Sequence, residues 1–126
     1  MSIYTTRFFA GRREEREVPV LLYIRVTHFM THILPQELKS LLEKEEVCLL
    51  DVREPDEHEA YNIGGMLIPL SDIILSHQKI PFNKPVVVYC RKGIRSQIAI
   101  QKLEEKFGFT NLINLSGGME AWKKHL

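Results

Sequence analysis

The sequence predicts an α/β domain in three layers, with helices on both faces of a mostly parallel central sheet of about five strands. Two observations carry that prediction. Val86–Tyr89 is a β-branched and aromatic run preceded by the turn signal Pro81-Phe82-Asn83-Lys84-Pro85. A run so short and so uniformly apolar reads as a strand buried on both faces, as parallel sheets require. Along the rest of the chain, short apolar runs alternate with runs of helical period.

Taken in order, residues 35–45 form a first helix with Leu38, Leu41 and Leu42 on its inner face, and 47–51 form a strand. Residues 55–61 make a short helix whose acidic first turn favours the helix dipole. A short strand over 66–69 follows, then a helix over 71–77 with Ser71 as its N-cap. After the Val86–Tyr89 strand, Ile94, Ile98, Ala99, Ile100, Leu103 and Phe107 recur at helical spacing, and Gly108 stands where a C-cap glycine would. Residues 111–115 are the last strand and Gly118–Lys124 the closing helix.

Residues 1–29 stand apart as an extension to a domain over 30–126. Arg7, Arg12, Arg13 and Arg16 alternate there with Glu14, Glu15 and Glu17, ahead of an apolar stretch at 18–26. That stretch is too short and interrupted to span a bilayer, and it lacks the cleavage site of a secretory signal. Three readings stay open: an extra edge strand, a partner-binding arm, or sequence upstream of the true start near Met30. In the first of these, 20–26 pairs with a sheet edge, in this chain or in a second subunit, so monomer and homodimer are both expected states.

With 126 residues the chain is long enough for one core. Its net charge of +1 gives no global field for nucleic acid, and no membrane partner is expected. Two cysteines do not make a disulfide framework and suit a reducing cytoplasm. Cys48, inside an apolar strand, is expected to pack in the core rather than to act as a resolving thiol.

The chemistry concentrates at Cys90-Arg91-Lys92-Gly93-Ile94-Arg95-Ser96, where the buried strand ends on a cysteine and a cationic loop opens into a helix. A cysteine is a nucleophile as its thiolate, and a helix N-terminus and nearby cations both favour that form. The loop amides can curl round the sulfur as an anion nest, with Gly93 supplying the turn and Arg91, Lys92 and Arg95 the rim. The alternative is a core cysteine beside a solvated basic turn.

Two further motifs accompany the loop: Leu49-Leu50-Asp51-Val52-Arg53-Glu54-Pro55 and Leu115-Ser116-Gly117-Gly118-Met119-Glu120-Ala121-Trp122. Together the three signatures resemble a single-domain rhodanese of the sulfurtransferase family, over roughly residues 30–126. The resemblance implies that Cys90 carries the sulfur and that Arg91, Lys92, Gly93, Ile94 and Arg95 bind the substrate. Asp51, Arg53 and Ser96 support the site, and Gly117, Gly118 and Trp122 match the C-terminal signature. It further implies a Cys90 persulfide, a small anionic donor such as thiosulfate or a protein persulfide, and a thiol or cyanide acceptor. No metal or organic cofactor is called for. The six-residue loop matches rhodaneses that handle sulfur; the similar phosphatases and arsenate reductases carry one residue more. A non-catalytic binding module is the alternative from another class, although such domains usually lose the cysteine. The chain departs from the family pattern at Tyr61-Asn62-Ile63-Gly64-Gly65, a segment expected to pack helix against strand.

The other candidates carry less chemistry. His28 and His32 have helical i, i+4 spacing but lack a third metal ligand nearby in sequence. His58 reads as a solvated helix residue, and His77 and His125 as helix-end residues. Asp51 reads as a loop pin, Arg53 as a brace for the active loop or for Glu54, and Trp122 as a core anchor.

Overall fold

Among the described residues five strands hydrogen-bond in the order β1-β5-β4-β2-β3. They are β1 (Thr31–Ile33), β2 (Cys48–Asp51), β3 (Met66–Leu67), β4 (Val86–Tyr89) and β5 (Leu112–Leu115), and every pairing is parallel. The structure, a computed structural model, describes residues 29–44 and 46–126. The expected pairing of 20–26 with a sheet edge, and His28, lie outside the described residues.

Strand β4 is central, and Val86, Val87, Val88 and Tyr89 are all buried. Among the described residues four helices cover the sheet: α1 (Pro35–Glu43), α2 (Pro55–Ala60), α3 (Ile94–Phe107) and α4 (Gly118–Lys124). Side chains alternate across a strand, and the two faces sort accordingly. Ile33, Leu49, Val87, Tyr89 and Leu115 pack with Leu38 of α1 and with Met119 and Trp122 of α4. On the other face α3 buries Ser96, Ala99, Ile100 and Leu103. Trp122 is thus the core anchor expected of it.

Two elements differ from expectation. The fifth strand is β1, three residues whose register with β5 pairs Thr31 with Ile113 and Ile33 with Leu115. The helix expected over 71–77 is replaced by two short 3₁₀ turns, Leu70–Asp72 and His77–Lys79. Pro69, not Ser71, occupies the first N-cap position. Successive β-branched residues at 73 and 74 disfavour a helix. The tight turns bury Ile73 and Ile80 and leave Leu75 in solvent.

The connection that matters for Cys90 is between β4 and α4. Met119 N–H donates to Cys90 O (2.8 Å) and Glu120 N–H donates to Arg91 O (3.0 Å). That approach is possible because position 118 has no side chain: a Cβ there would lie 2.4 Å from Cys90 O and 2.7 Å from Arg91 C, at a φ of +60°. Gly118→Ala is therefore expected to cost about 2–4 kcal/mol in urea unfolding, from left-handed strain plus overpacking. Gly108→Ala is the control, since nothing lies within 4 Å of a Cβ at Gly108; it should cost about 1–2 kcal/mol, the left-handed strain alone. Equal losses in the two variants would contradict the close approach.

Candidate active site

Cys90 directly follows β4, at the carboxyl end of the central strand, where open α/β sheets place their ligands. Its sulfur is buried and faces the loop's own backbone. Gly93 N–H donates to Cys90 Sγ (3.1 Å), and Ser96 N–H donates to the same sulfur (3.3 Å). Ser96 Oγ lies 3.4 Å from it. Gly93 makes this possible with a φ of +93°, turning the chain back over the sulfur before α3 begins. The expected nest is thus present at two of its amides.

The peptide carbonyls of Cys90 and Arg91 are taken by α4. In a trans peptide the N–H points opposite to the C=O, so the N–H groups of Arg91 and Lys92 are directed away from α4. Gly93 is buried, whereas Arg91, Lys92 and Ile94 are exposed around the loop.

The cationic rim is more balanced than the sequence implies. Arg95 makes a two-pronged ion pair with Glu57 of α2, at 2.7 and 2.9 Å. Arg91 Nε donates to Glu120 Oε2 of α4 (3.0 Å). Lys92 is the loop cation without an ion pair among the described residues. The Arg95 hydrogen bonds hold the Glu57 carboxyl down at about 2, against 4.5 ordinarily. Glu57 Oε1 also accepts from Glu54 N–H (3.0 Å), so one carboxylate caps α2 and anchors the loop.

Asp51 and Arg53 stand behind the loop rather than in it. Buried Asp51 accepts from Arg53 N–H (3.0 Å), Arg53 Nε (2.9 Å) and Arg53 Nη2 (2.7 Å). Arg53 Nη2 also donates to Tyr61 O (2.7 Å). Among the described residues the hydrogen bonds of Arg53 go to Asp51 and Tyr61 O, so it ties the end of β2 to the end of α2. Asp51 pins its loop as expected. His58 is a correction: its Nδ1 lies 2.8 Å from Asp51 Oδ2 and its side chain is 23 % exposed, so it belongs to this cluster and not to a solvated face. The segment where the chain departs from the family pattern is fastened here too. Tyr89 O–H donates to Gly64 O (3.0 Å), and burial pushes that hydroxyl up to about 12.

Cys48 pairs with Val86 at the opposite end of β2 and β4 and is half-buried there, not packed in the core as expected. Four strand residues separate that level from Cys90, about 13 Å along the sheet, so Cys48 does not reach the Cys90 sulfur. His77 stacks on Phe107 with ring centroids 3.6 Å apart. Glu57, Glu120 and Asn114 are the site neighbours that the sequence did not reveal. Their partners are 38, 29 and 18 residues away, and no local pattern marks them.

The chain matches the family model of the rhodanese-like domain over residues 34–125. It is 33% identical over 106 residues to the thiosulfate sulfurtransferase GlpE of Coxiella burnetii, covering 83% of this chain and 92% of that protein. It is 37% identical over 101 residues to the YqhL protein of Bacillus subtilis, covering 79% and 78%. Among solved structures, the human single-domain sulfurtransferase TSTD1 superposes with a TM-score of 0.70 at 26% identity, over 78% of this chain and 99% of that one. A rhodanese-like domain protein of Staphylococcus aureus superposes with a TM-score of 0.67 at 33% identity, over 74% and 91%. From the residue before α1 to the residue after α4, with the Cys90 loop inside the match, the chain belongs to the rhodanese-like domain family.

Proposed function

We propose that the chain is a sulfurtransferase that carries sulfane sulfur on Cys90. The observation that carries this reading is the Cys90 sulfur at the end of the central strand with the Gly93 and Ser96 amides aimed at it. The likeness to GlpE and TSTD1, both named as sulfurtransferases, supports it.

The reaction has two halves. In the first, the Cys90 thiolate attacks the outer sulfur of an anionic donor. With thiosulfate the sulfur–sulfur bond of the donor breaks, sulfite leaves with the bonding pair, and Cys90 is left as a persulfide anion. Hydrogen bonds to an anion are the strong ones, and on this reading the loop amides, those of Arg91 and Lys92 included, hold the terminal sulfur. In the second half, cyanide or a thiol attacks that terminal sulfur, and the Cys90 thiolate is the leaving group. The six-residue loop suits a single sulfur. Two cysteines in the whole chain fit work in a reducing cytoplasm.

The ion pairs redistribute the electrostatic roles. Arg95 positions the loop through Glu57, and Lys92, without an ion pair among the described residues, attracts the donor. Lys92→Met is expected to raise KM for thiosulfate about two- to fivefold, with a smaller effect from Arg91→Met. A larger effect at Arg91 would reverse that assignment.

Cys90→Ser should abolish thiocyanate formation from thiosulfate and cyanide while leaving the urea midpoint near that of the native chain. Turnover retained in that variant would sink the proposal. No turnover in the native chain with thiosulfate or a persulfide donor would favour the binding-module reading.

A pH prediction follows from Glu57. Its folded-state value lies below the unfolded one, so the Arg95 pair contributes fully above about pH 4.5 and is lost as pH falls toward about 2. Glu57→Gln should therefore lower stability by about 1–2 kcal/mol at neutral pH. The gap between native and variant should narrow on acidification, and a pH-independent gap would contradict the pairing.

A further inference from the structure

A chain of side chains joins the loop sulfur to the edge of the sheet, and sulfur transfer as described makes no use of it. Ser96 Oγ lies 3.4 Å from Cys90 Sγ, the Ser96 hydroxyl donates to Asn114 Oδ1, and Asn114 Nδ2 lies 3.1 Å from His32 Nδ1. Ser96 and Asn114 are buried, while His32 is exposed on edge strand β1. The strand register creates the contact: His32 pairs with Asn114 across β1 and β5. Both lie on the α3 face, since Ile33 and Leu115 occupy the opposite one.

A hydroxyl carries one proton, and that sets the direction of the whole chain. With the proton given to Asn114 Oδ1, Ser96 offers sulfur only lone pairs, so the Cys90 thiol is the donor between them. Asn114 Nδ2 then donates to His32 Nδ1, which must be unprotonated. This arrangement belongs to a thiol and a neutral imidazole. A thiolate has no proton to offer. For it, Ser96 turns its proton to sulfur, Asn114 presents Nδ2 to Ser96 Oγ and Oδ1 to His32, and His32 donates from Nδ1. A half-turn of the planar Asn114 amide converts one arrangement into the other with every partner kept.

We propose that Asn114 and His32 are positioning residues for Cys90, the Asn114 amide reversing so that a donating His32 and a Cys90 thiolate stabilise each other. The thiol proton leaves to solvent and His32 takes its Nδ1 proton from solvent; none travels along the chain. By linkage the effect is equal in both directions. Leu112–Leu115 carries no titratable side chain, the buried residues of α3 are Ser96, Ala99, Ile100 and Leu103, and Glu104 of α3 is half-buried and common to every variant compared below. Around Cys90, the Arg91–Glu120 and Arg95–Glu57 pairs and Lys92 are common to every variant compared below.

The test labels the thiols with iodoacetamide near pH 6 and quantifies each adduct by peptide mass. Cys48, half-buried at the far end of the sheet, reports any general loosening. His32→Leu is expected to slow Cys90 labelling about three- to tenfold relative to Cys48. The same change in an Asn114→Leu chain should have no further effect. No slowing, or equal slowing without Asn114, overturns the proposal. Because Asn114 is buried and its variant can fail to fold, the His32 ring is also titrated by NMR in the native chain and in Cys90→Ala. The midpoint should move when the sulfur is removed, and an unchanged midpoint overturns the coupling. Both readouts work without a sulfur donor, so they succeed or fail independently of sulfur transfer itself.

Discussion

Met119 and Glu120 donate their N–H groups to the carbonyl oxygens of Cys90 and Arg91, and much of the site's geometry follows from that pair of bonds. With the two oxygens held by α4, planar peptides send the opposite N–H groups to the other side of the loop. Gly93 then turns the chain so that its own amide and that of Ser96 close on the sulfur. The constraint is steric before it is electrostatic. Gly118 must lack a side chain for α4 to come within hydrogen-bond reach of the loop, because a Cβ there would overlap Cys90 O.

Charge is arranged around this backbone cradle in pairs. Arg95 is committed to Glu57 and Arg91 to Glu120, so the arginines serve as struts from the loop to α2 and α4. Glu57 links the loop strut to the helix N-terminus it caps. Behind it, the Asp51 carboxylate gathers Arg53 and His58, and Arg53 reaches on to Tyr61 O. The loop is thereby tied into the β2–α2 connection as well as into α4. On the proposed reading, a negative sulfur is stabilised mainly by backbone amides, which are fixed by the fold and need no reorganisation when charge appears.

The parts of this arrangement legible in sequence are the local ones. The four apolar residues of β4, the cysteine after them and the helical spacing from Ile94 to Phe107 lie within one short stretch, and each signals its own structure. Strand β1 was not legible, because three residues carry too little pattern and only their pairing with β5 makes them a strand. The turns at Leu70–Asp72 and His77–Lys79 stand where the local pattern predicts a helix, since burial of Ile73 and Ile80 outweighs the N-cap preference of Ser71. Gly117 and Gly118 were recognisable by resemblance, but the reason for Gly118 is a carbonyl nearly thirty residues earlier in the chain. The Glu57–Arg95 pair and the Asn114–His32 contact span 38 and 82 residues, distances over which a single sequence carries no signal of contact.

On the proposed reading, Cys90 accepts and holds a sulfur atom as a covalent persulfide. Intact-protein mass spectrometry after incubation with thiosulfate, in parallel with a glutathione persulfide donor, tests it directly. One added sulfur is expected in the native chain, none in a chain lacking the Cys90 thiol, and loss of that sulfur on adding cyanide. No added sulfur from either donor, or an addition that persists without Cys90, would contradict it.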